Sequence, residues 1–125
     1  MSKERKARVA EAIRDTLAEM IAREVKDPRV SAAGVVSITH VEMNKDLSVA
    51  NVWVSIYGDD KVAEKAIQGL QSSAGFLRGP VGRKLKLQRP PELRFMRDTG
   101  LAFGVELTKI VREDDAKRKK ADEEE

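Results

Sequence analysis

The sequence predicts an α+β fold, in which helices cover one face of a small three-stranded sheet. Apolar residues recur at helical spacing near the N-terminus and again in the middle of the chain. Two runs of β-branched residues flank a tight turn, and a third short strand follows a pair of prolines. The length of 125 residues and the 41% content of hydrophobic residues suit one domain with a modest aliphatic core.

The first predicted element is an amphipathic helix over residues 3–25. Its apolar side runs from Val9 and Ile13 to Val25, and Asp27-Pro28 ends it. Its first turns are strongly basic, although the positive end of the helix dipole disfavours each such charge by a few tenths of a kcal/mol. The basic residues are Lys3, Arg5, Lys6 and Arg8. An anionic partner would explain them, and so would a frayed, solvated helix start.

A β-hairpin follows between Val35 and Tyr57, with its turn at Asn44-Lys45-Asp46. In the second strand the apolar residues at even positions share one face, so Trp53 and Tyr57 belong to the other face. In the first strand the apolar positions change parity, which predicts a β-bulge near Thr39-His40.

Two helices separated by a break are predicted next. Asp59-Asp60 can cap a helix that runs to about Ser72. Pro80 lacks an N–H and fits best in a first helical turn, so a second helix should begin between Phe76 and Gly79. The break then falls at Ser73-Ala74-Gly75. Replacing Gly75 by Val is expected to cost about 1 to 3 kcal/mol if the backbone there is strained or closely packed.

The third strand is predicted at Glu92 to Asp98, after Pro90-Pro91, and a short helix should span Leu101 to Ile110. Almost every residue from Arg112 to Glu125 is charged, which is typical of a disordered tail. We therefore expect a domain at residues 1–111 and a tail at residues 112–125.

Positive charge is concentrated in one part of the chain. Between Arg78 and Arg97 seven basic residues stand against one acid, Glu92, whereas the net charge of the whole chain is only +3. A polyanion such as RNA is the natural partner of this segment, and a solvated charged face is the alternative.

Catalytic and metal-binding chemistry have little support in the sequence. There is no cysteine, and His40 is the only histidine and is expected to be an ordinary strand residue. Asp59-Asp60 and Asp114-Asp115 are explained by a helix cap and a solvated run. We expect no catalytic residues, metal, cofactor or small-molecule substrate. No signal peptide or membrane span is apparent, so we expect a cytoplasmic protein without a membrane partner.

Several local stretches resemble one family. They are Arg8-Val9, Lys26-Asp27-Pro28-Arg29-Val30, the hairpin segment from Val41 to Ala50, Gly75-Phe76-Leu77-Arg78, and Pro91-Glu92-Leu93-Arg94-Phe95 before Asp98. Together they resemble ribosome-binding factor A over residues 3–111. The order helix, strand, strand, helix, kink, helix, strand likewise resembles a type II KH domain. A literal GxxG at residues 79–82 would lie inside the second helix of the pair and is not taken as a nucleotide-gripping loop.

The resemblance implies a monomeric assembly factor that binds the immature small (30S) ribosomal subunit and its 16S rRNA. It also implies a role in rRNA end maturation and cold adaptation, without catalysis. By resemblance, the RNA-binding residues are Lys45, Asp46, Ser73, Ala74, Gly75, Arg78, Arg83, Lys84, Lys86 and Arg89. The charge argument adds Arg5 and Arg8. Trp53 and Tyr57 could stack on bases. The alternative function is an enzyme that itself trims rRNA ends.

Overall fold

The computed structural model describes residues 3–99. The elements are α1 (Lys3–Glu24), α2 (Pro28–Ser31), β1 (Val36–Met43), β2 (Val49–Ile56), α3 (Asp60–Lys84) and β3 (Glu92–Arg97). The α+β fold predicted from the sequence is thereby confirmed. The short helix predicted at 101–110 and the tail at 112–125 lie outside the described residues.

The three strands form a mixed sheet in the order β1-β2-β3, with β2 antiparallel to β1 and parallel to β3. The register of β1 against β2 shifts between Ile38 and His40, which confirms the predicted bulge. The central strand β2 therefore pairs with both edge strands.

One face of the sheet carries the hydrophobic core. Ala50, Val52 and Val54 of β2 pack in one cluster with side chains of all three helices, among them Leu17 and Leu70. Burial of a large aliphatic side chain contributes about 1.5 to 3 kcal/mol, so this layer supplies most of the driving force for folding. The parity predicted for β2 is therefore correct.

The short helix α2 was missed by the sequence analysis, which treated Asp27-Pro28 only as a helix stop. The Asp27 side chain caps α2 by accepting a hydrogen bond from the Arg29 backbone N–H at 2.9 Å. The Arg29 guanidinium binds the same carboxylate through Nε at 3.0 Å and through a terminal nitrogen at 2.7 Å. That nitrogen also lies 3.2 Å from the Ser72 hydroxyl of α3. Asp27 and Arg29 thus fasten the α1–α2 corner to α3.

The ionised Asp27 carboxylate is expected to stabilise the fold in a way that depends on pH. Hydrogen bonds from the Arg29 side chain, followed by its backbone N–H, lower the pKa of Asp27 from 3.8 to about 2. The unfolded chain therefore binds the proton first, and this stabilisation is complete above about pH 4 and disappears as the pH falls to about 2. Asp27→Asn keeps a capping side chain but loses the charge. Urea midpoints measured from pH 5 to pH 2 should fall less steeply in the variant, and parallel curves would contradict the assignment.

The predicted break in the middle helix is wrong. The helix α3 runs without interruption from Asp60 to Lys84 and contains Pro80 in its interior. Two features make the proline tolerable there. The residue before it is Gly79, which has no Cβ to clash with the proline ring. The residue that loses its helical donor is Phe76, which lies on the exposed side of α3 and is itself 55% exposed.

Gly75 also has neither the strained backbone nor the close packing on which the expected cost of Gly75→Val depended. Gly75 does not have a positive φ, and a Cβ built there meets no atom within 4 Å. Ser73 donates its hydroxyl to the Gly69 carbonyl at 3.0 Å, the bond that a serine inside a helix commonly makes. Residues 73–75 are therefore ordinary helical residues, and the cost of 1 to 3 kcal/mol no longer has a physical basis.

Candidate nucleic-acid interface

Three segments that are distant in sequence meet at a cleft of about 380 Å³. The start of α1 contributes Arg5, the β1–β2 turn contributes Asp46 and Ser48, and the loop after α3 contributes Lys86 and Arg89. We call these five residues and the space between them the basic cleft. Arg8 lies beside it, on a shallow patch that Arg5 and Leu87 share. Three of the five side chains are cationic, which suits an anionic ligand that spans several phosphates.

Three cations in and beside the basic cleft are not neutralised by acidic neighbours in the described part of the chain. Within residues 3–99, Arg8, Lys86 and Arg89 form no ion pair with an acidic side chain. All three are exposed. Their hydrated charges can therefore meet phosphate groups without first breaking a contact inside the protein.

The turn that forms one wall of the cleft is organised by Asn44, whose role the sequence analysis missed. Asn44 is fully buried, and its carbonyl oxygen accepts the backbone N–H groups of Ser48 at 2.9 Å and Val49 at 3.0 Å. Its amide nitrogen donates to the Ser48 hydroxyl at 3.0 Å, and that hydroxyl donates to the Asp46 carboxylate at 2.5 Å. Asn44 therefore fixes the position of Asp46. A polar residue at the end of an apolar strand was the only hint in the sequence.

Asn44→Ala should destabilise the domain by about 2 kcal/mol, because it leaves the buried Val49 N–H without an acceptor. We expect Tm to fall by about 10 °C. The matched control is Lys45→Ala at the exposed neighbouring position, which should leave Tm within about 2 °C of the original value. Equal Tm values for the two variants would show that the amide network does not hold the turn.

The other wall begins where α3 ends. The Leu87 N–H donates to the Gly82 carbonyl at 3.0 Å and the Lys86 N–H to the Arg83 carbonyl at 3.2 Å, which is the pattern of a Schellman motif. The residue that turns the chain there is Lys86, with φ of 54°. Glycine usually occupies this position, since a side chain in the left-handed region costs about 1 kcal/mol. A lysine held in that conformation on a basic surface makes Lys86 a candidate for a functional contact.

Lys86→Gly is therefore expected to act in opposite directions on stability and on binding. Stability should rise by up to about 1 kcal/mol as the left-handed strain is relieved, whereas affinity for RNA should fall several-fold. Chemical denaturation and filter binding measure the two effects. Lys84→Gly is the control at the last residue of α3, where glycine should lower stability by up to about 1 kcal/mol. A loss of stability in Lys86→Gly would contradict the proposed strain.

The remaining predicted basic residues do not line the basic cleft: three lie on α3 and Lys45 lies in the β1–β2 turn. The Lys84 ammonium is 3.6 Å from the Glu19 carboxylate of α1, and the Arg78 Nε donates to the Pro90 carbonyl at 3.1 Å. Arg83 is exposed, and its guanidinium lies against Gly79. Lys45 is exposed in the turn next to Asp46. Arg78 therefore has a role in fastening the loop after α3, which the charge count could not reveal.

The segment Ser73-Ala74-Gly75 does not join the basic cleft. Gly75 precedes Lys86 by about 16 Å along the helix axis. Ala74 is buried in the core and Gly75 is exposed. The structure thus brings together Arg5, Arg8, Asp46, Lys86 and Arg89 and leaves the predicted kink residues apart from them.

The two aromatic residues proposed for base stacking differ. Tyr57 is 87% exposed at the end of β2, whereas Trp53 is fully buried. The centroid of the Trp53 indole lies 5.9 Å from that of the His40 ring, at an interplanar angle of 53°. Stacking of Trp53 on a base is therefore incompatible with this structure, and Tyr57 stays a candidate.

His40 is a half-buried residue of β1, as expected, with Nε2 lying 3.3 Å from the Glu42 carboxylate. Among residues 3–99, no three His, Cys, Asp or Glu side chains group closely enough to hold a metal ion. No helix in the described part of the chain has the apolar length that crossing a membrane requires.

Comparison with known proteins gives one consistent family. Residues 5–111 match the family model described as Ribosome-binding factor A. The Ribosome-binding factor A of Desulforamulus reducens is 42% identical over 109 residues, which cover 87% of this chain and 88% of that protein.

Structures of similar proteins have the same fold. A Thermotoga maritima protein solved in solution has a TM-score of 0.69 and 31% identity, over 81% of this chain and 93% of its own. A homology model of Thermus thermophilus ribosome binding factor A, fitted into an electron-microscopy map of a 30S complex, has a TM-score of 0.52. It is 23% identical over 74% of this chain and 89% of its own, a level of likeness that shows the fold.

Proposed function

The chain belongs to the ribosome-binding factor A family, and we propose that it binds the immature small ribosomal subunit through 16S rRNA. The similar Thermus thermophilus protein was fitted into a map of a 30S complex, which supports this partner. We further propose that the protein acts as a monomer in the bacterial cytoplasm.

The observation that carries the proposal is the basic cleft. Arg5, Lys86 and Arg89 come from separate segments and converge on one concave surface, so that several cations face one ligand. Phosphate groups are the sequence-independent part of an RNA ligand, and each cation that meets one releases counterions. Phosphate contacts at the cleft would set the position of the protein on the rRNA.

We propose that the protein acts by occupancy and performs no catalysis. Binding would hold or test one shape of the rRNA while its ends mature, including during growth in the cold. The family resemblance supports this role. The enzyme alternative predicts that the purified protein cleaves precursor rRNA in magnesium without added nuclease, and cleavage by two independent preparations would overturn the occupancy proposal.

Co-sedimentation is the direct test of the partner. The purified protein should pellet with free small subunits in near-stoichiometric amounts and to a much smaller extent with complete ribosomes. Raising the salt concentration should release it steeply, since counterion release drives phosphate binding. Equal recovery with large subunits alone would contradict the proposal.

A further inference from the structure

The sheet has a second buried surface that the core does not include. Val49, Asn51 and Trp53 of β2 are each 0% exposed. They alternate with the residues that face the helices, so they point to the opposite side of the sheet. In agreement, the core cluster contains Ala50 and Val52 but neither Val49 nor Trp53. We call the surface formed by Val49, Asn51 and Trp53 the outer face.

The described helices do not explain the burial of the outer face. The three helices α1, α2 and α3 contribute Ile13, Val30 and Leu70 to the core cluster and therefore pack on the other side. Within residues 3–99, no helix or strand is left to lie across the outer face.

The neighbouring strands flank the indole of Trp53 without covering it. His40 of β1 and Met96 of β3 pair with Trp53 across the sheet and share its face. Strands lie about 4.8 Å apart, so these side chains stand beside the indole and leave its upper surface open. Full burial of so large a side chain requires a further layer.

We propose that residues 101–111 of this chain form that layer. The chain leaves the sheet at the edge strand β3, level with the Trp53 end of the outer face, because Arg97 pairs with Val54 and the Asp98 N–H donates to the Val54 carbonyl at 2.8 Å. The segment that follows is rich in apolar residues. They are Leu101, Phe103, Val105, Leu107, Ile110 and Val111. Residues 112–125 contain none larger than alanine and could not bury an indole.

The length of segment 101–111 and the extent of the family match both support this segment as the covering layer. From Val49 to Trp53 the outer face extends about 14 Å, and eleven residues span about 16 Å as a helix or about 36 Å as a strand. The family match continues to residue 111, so the segment belongs to the family's domain. The outer face would then be closed to RNA, which leaves binding to the basic cleft on another side of the molecule. This inference does not depend on the proposed function.

Trp53 is the only tryptophan of the chain, so its fluorescence reports on the outer face alone. In the full chain we expect blue-shifted emission and weak quenching by acrylamide. The double variant Phe103→Ser with Leu107→Ser should shift the emission to longer wavelength and raise the quenching constant several-fold, while far-UV circular dichroism stays unchanged. The control, Glu106→Ser with Lys109→Ser, changes the same segment at polar positions and should behave as the original protein.

A second measurement covers the case in which the serine variant fails to fold. The chain has no cysteine, so Glu106→Cys can carry a single nitroxide label. The label should quench Trp53 strongly, whereas a label at Glu64→Cys on α3 should not. Similar weak quenching from both positions would overturn the proposal. It would also be overturned if Trp53 became accessible on dilution, since a second copy of the chain would then be the cover.

Discussion

Reversing three charges of the basic cleft, through Arg5→Glu, Lys86→Glu and Arg89→Glu, should weaken binding to the small subunit about 100-fold or more at moderate salt. Each cation is expected to contribute about 1 kcal/mol through a phosphate contact, and each introduced carboxylate adds repulsion. The slope of log K against log salt should become shallower by about three, since three fewer counterions are released. Affinity measured at several salt concentrations gives both quantities.

A matched control distinguishes the effect of the basic cleft on affinity from the effect of the net charge. Lys26→Glu, Lys61→Glu and Lys65→Glu change the net charge by the same amount, at exposed positions outside the cleft. This variant should keep most of the affinity, with a modest decrease from the long-range field. If the two triple variants lose affinity equally, the interaction is a general attraction between charged bodies and the cleft has no special role.

The same binding assay tests two further residues that the sequence analysis assigned to RNA binding. Arg83 and Lys84 stand at the end of α3, and Lys84 lies near Glu19 of α1. Arg83→Glu with Lys84→Glu should cost less affinity than Lys86→Glu with Arg89→Glu, because only the second pair lines the cleft. The reverse order would move the RNA-binding surface toward the middle of α3.

The hairpin was predictable from the sequence because burial forces a period of two. In β1 the apolar positions change from Ile38 to Val41, and only an inserted residue can keep both on the core side. The register shift between Ile38 and His40 is the expected result. The pairing of β1 with β2 also followed from the sequence, since a short turn joins them.

The end of α3 shows why other features could not be predicted. A proline inside a helix usually costs about 3 kcal/mol, and that rule placed a break where none exists. The actual cost depends on Gly79 and on the exposure of Phe76, which are properties of the packed structure. Likewise, seven cations between Arg78 and Arg97 indicated an anionic partner. Whether each of these cations lies in the basic cleft or on the side of α3 depends on where α3 ends.

In α3 the glycine at which a larger side chain should destabilise the fold is Gly69, whereas the sequence analysis had indicated Gly75. A Cβ at Gly69 would lie 2.9 Å from Val30 Cγ2 and 3.2 Å from the Asp27 carboxyl carbon. Real Cβ atoms are essentially never found below 3.0 Å from such neighbours. A side chain at position 69 must therefore push α2 and the paired Asp27 and Arg29 away from α3, and with them the 3.2 Å hydrogen bond from Arg29 to Ser72.

Gly69→Val should consequently destabilise the domain by about 3 to 4 kcal/mol, at the upper end of overpacking effects, because the corner is lost as well. Tm should fall by more than about 15 °C. Gly75→Val, two turns along the same helix, is the matched control. It should change stability by less than about 0.5 kcal/mol, since valine is no worse than glycine in an exposed helix. Near-equal losses in the two variants would show that helix propensity decides both. A large loss in Gly75→Val alone would restore the kink at Ser73-Ala74-Gly75.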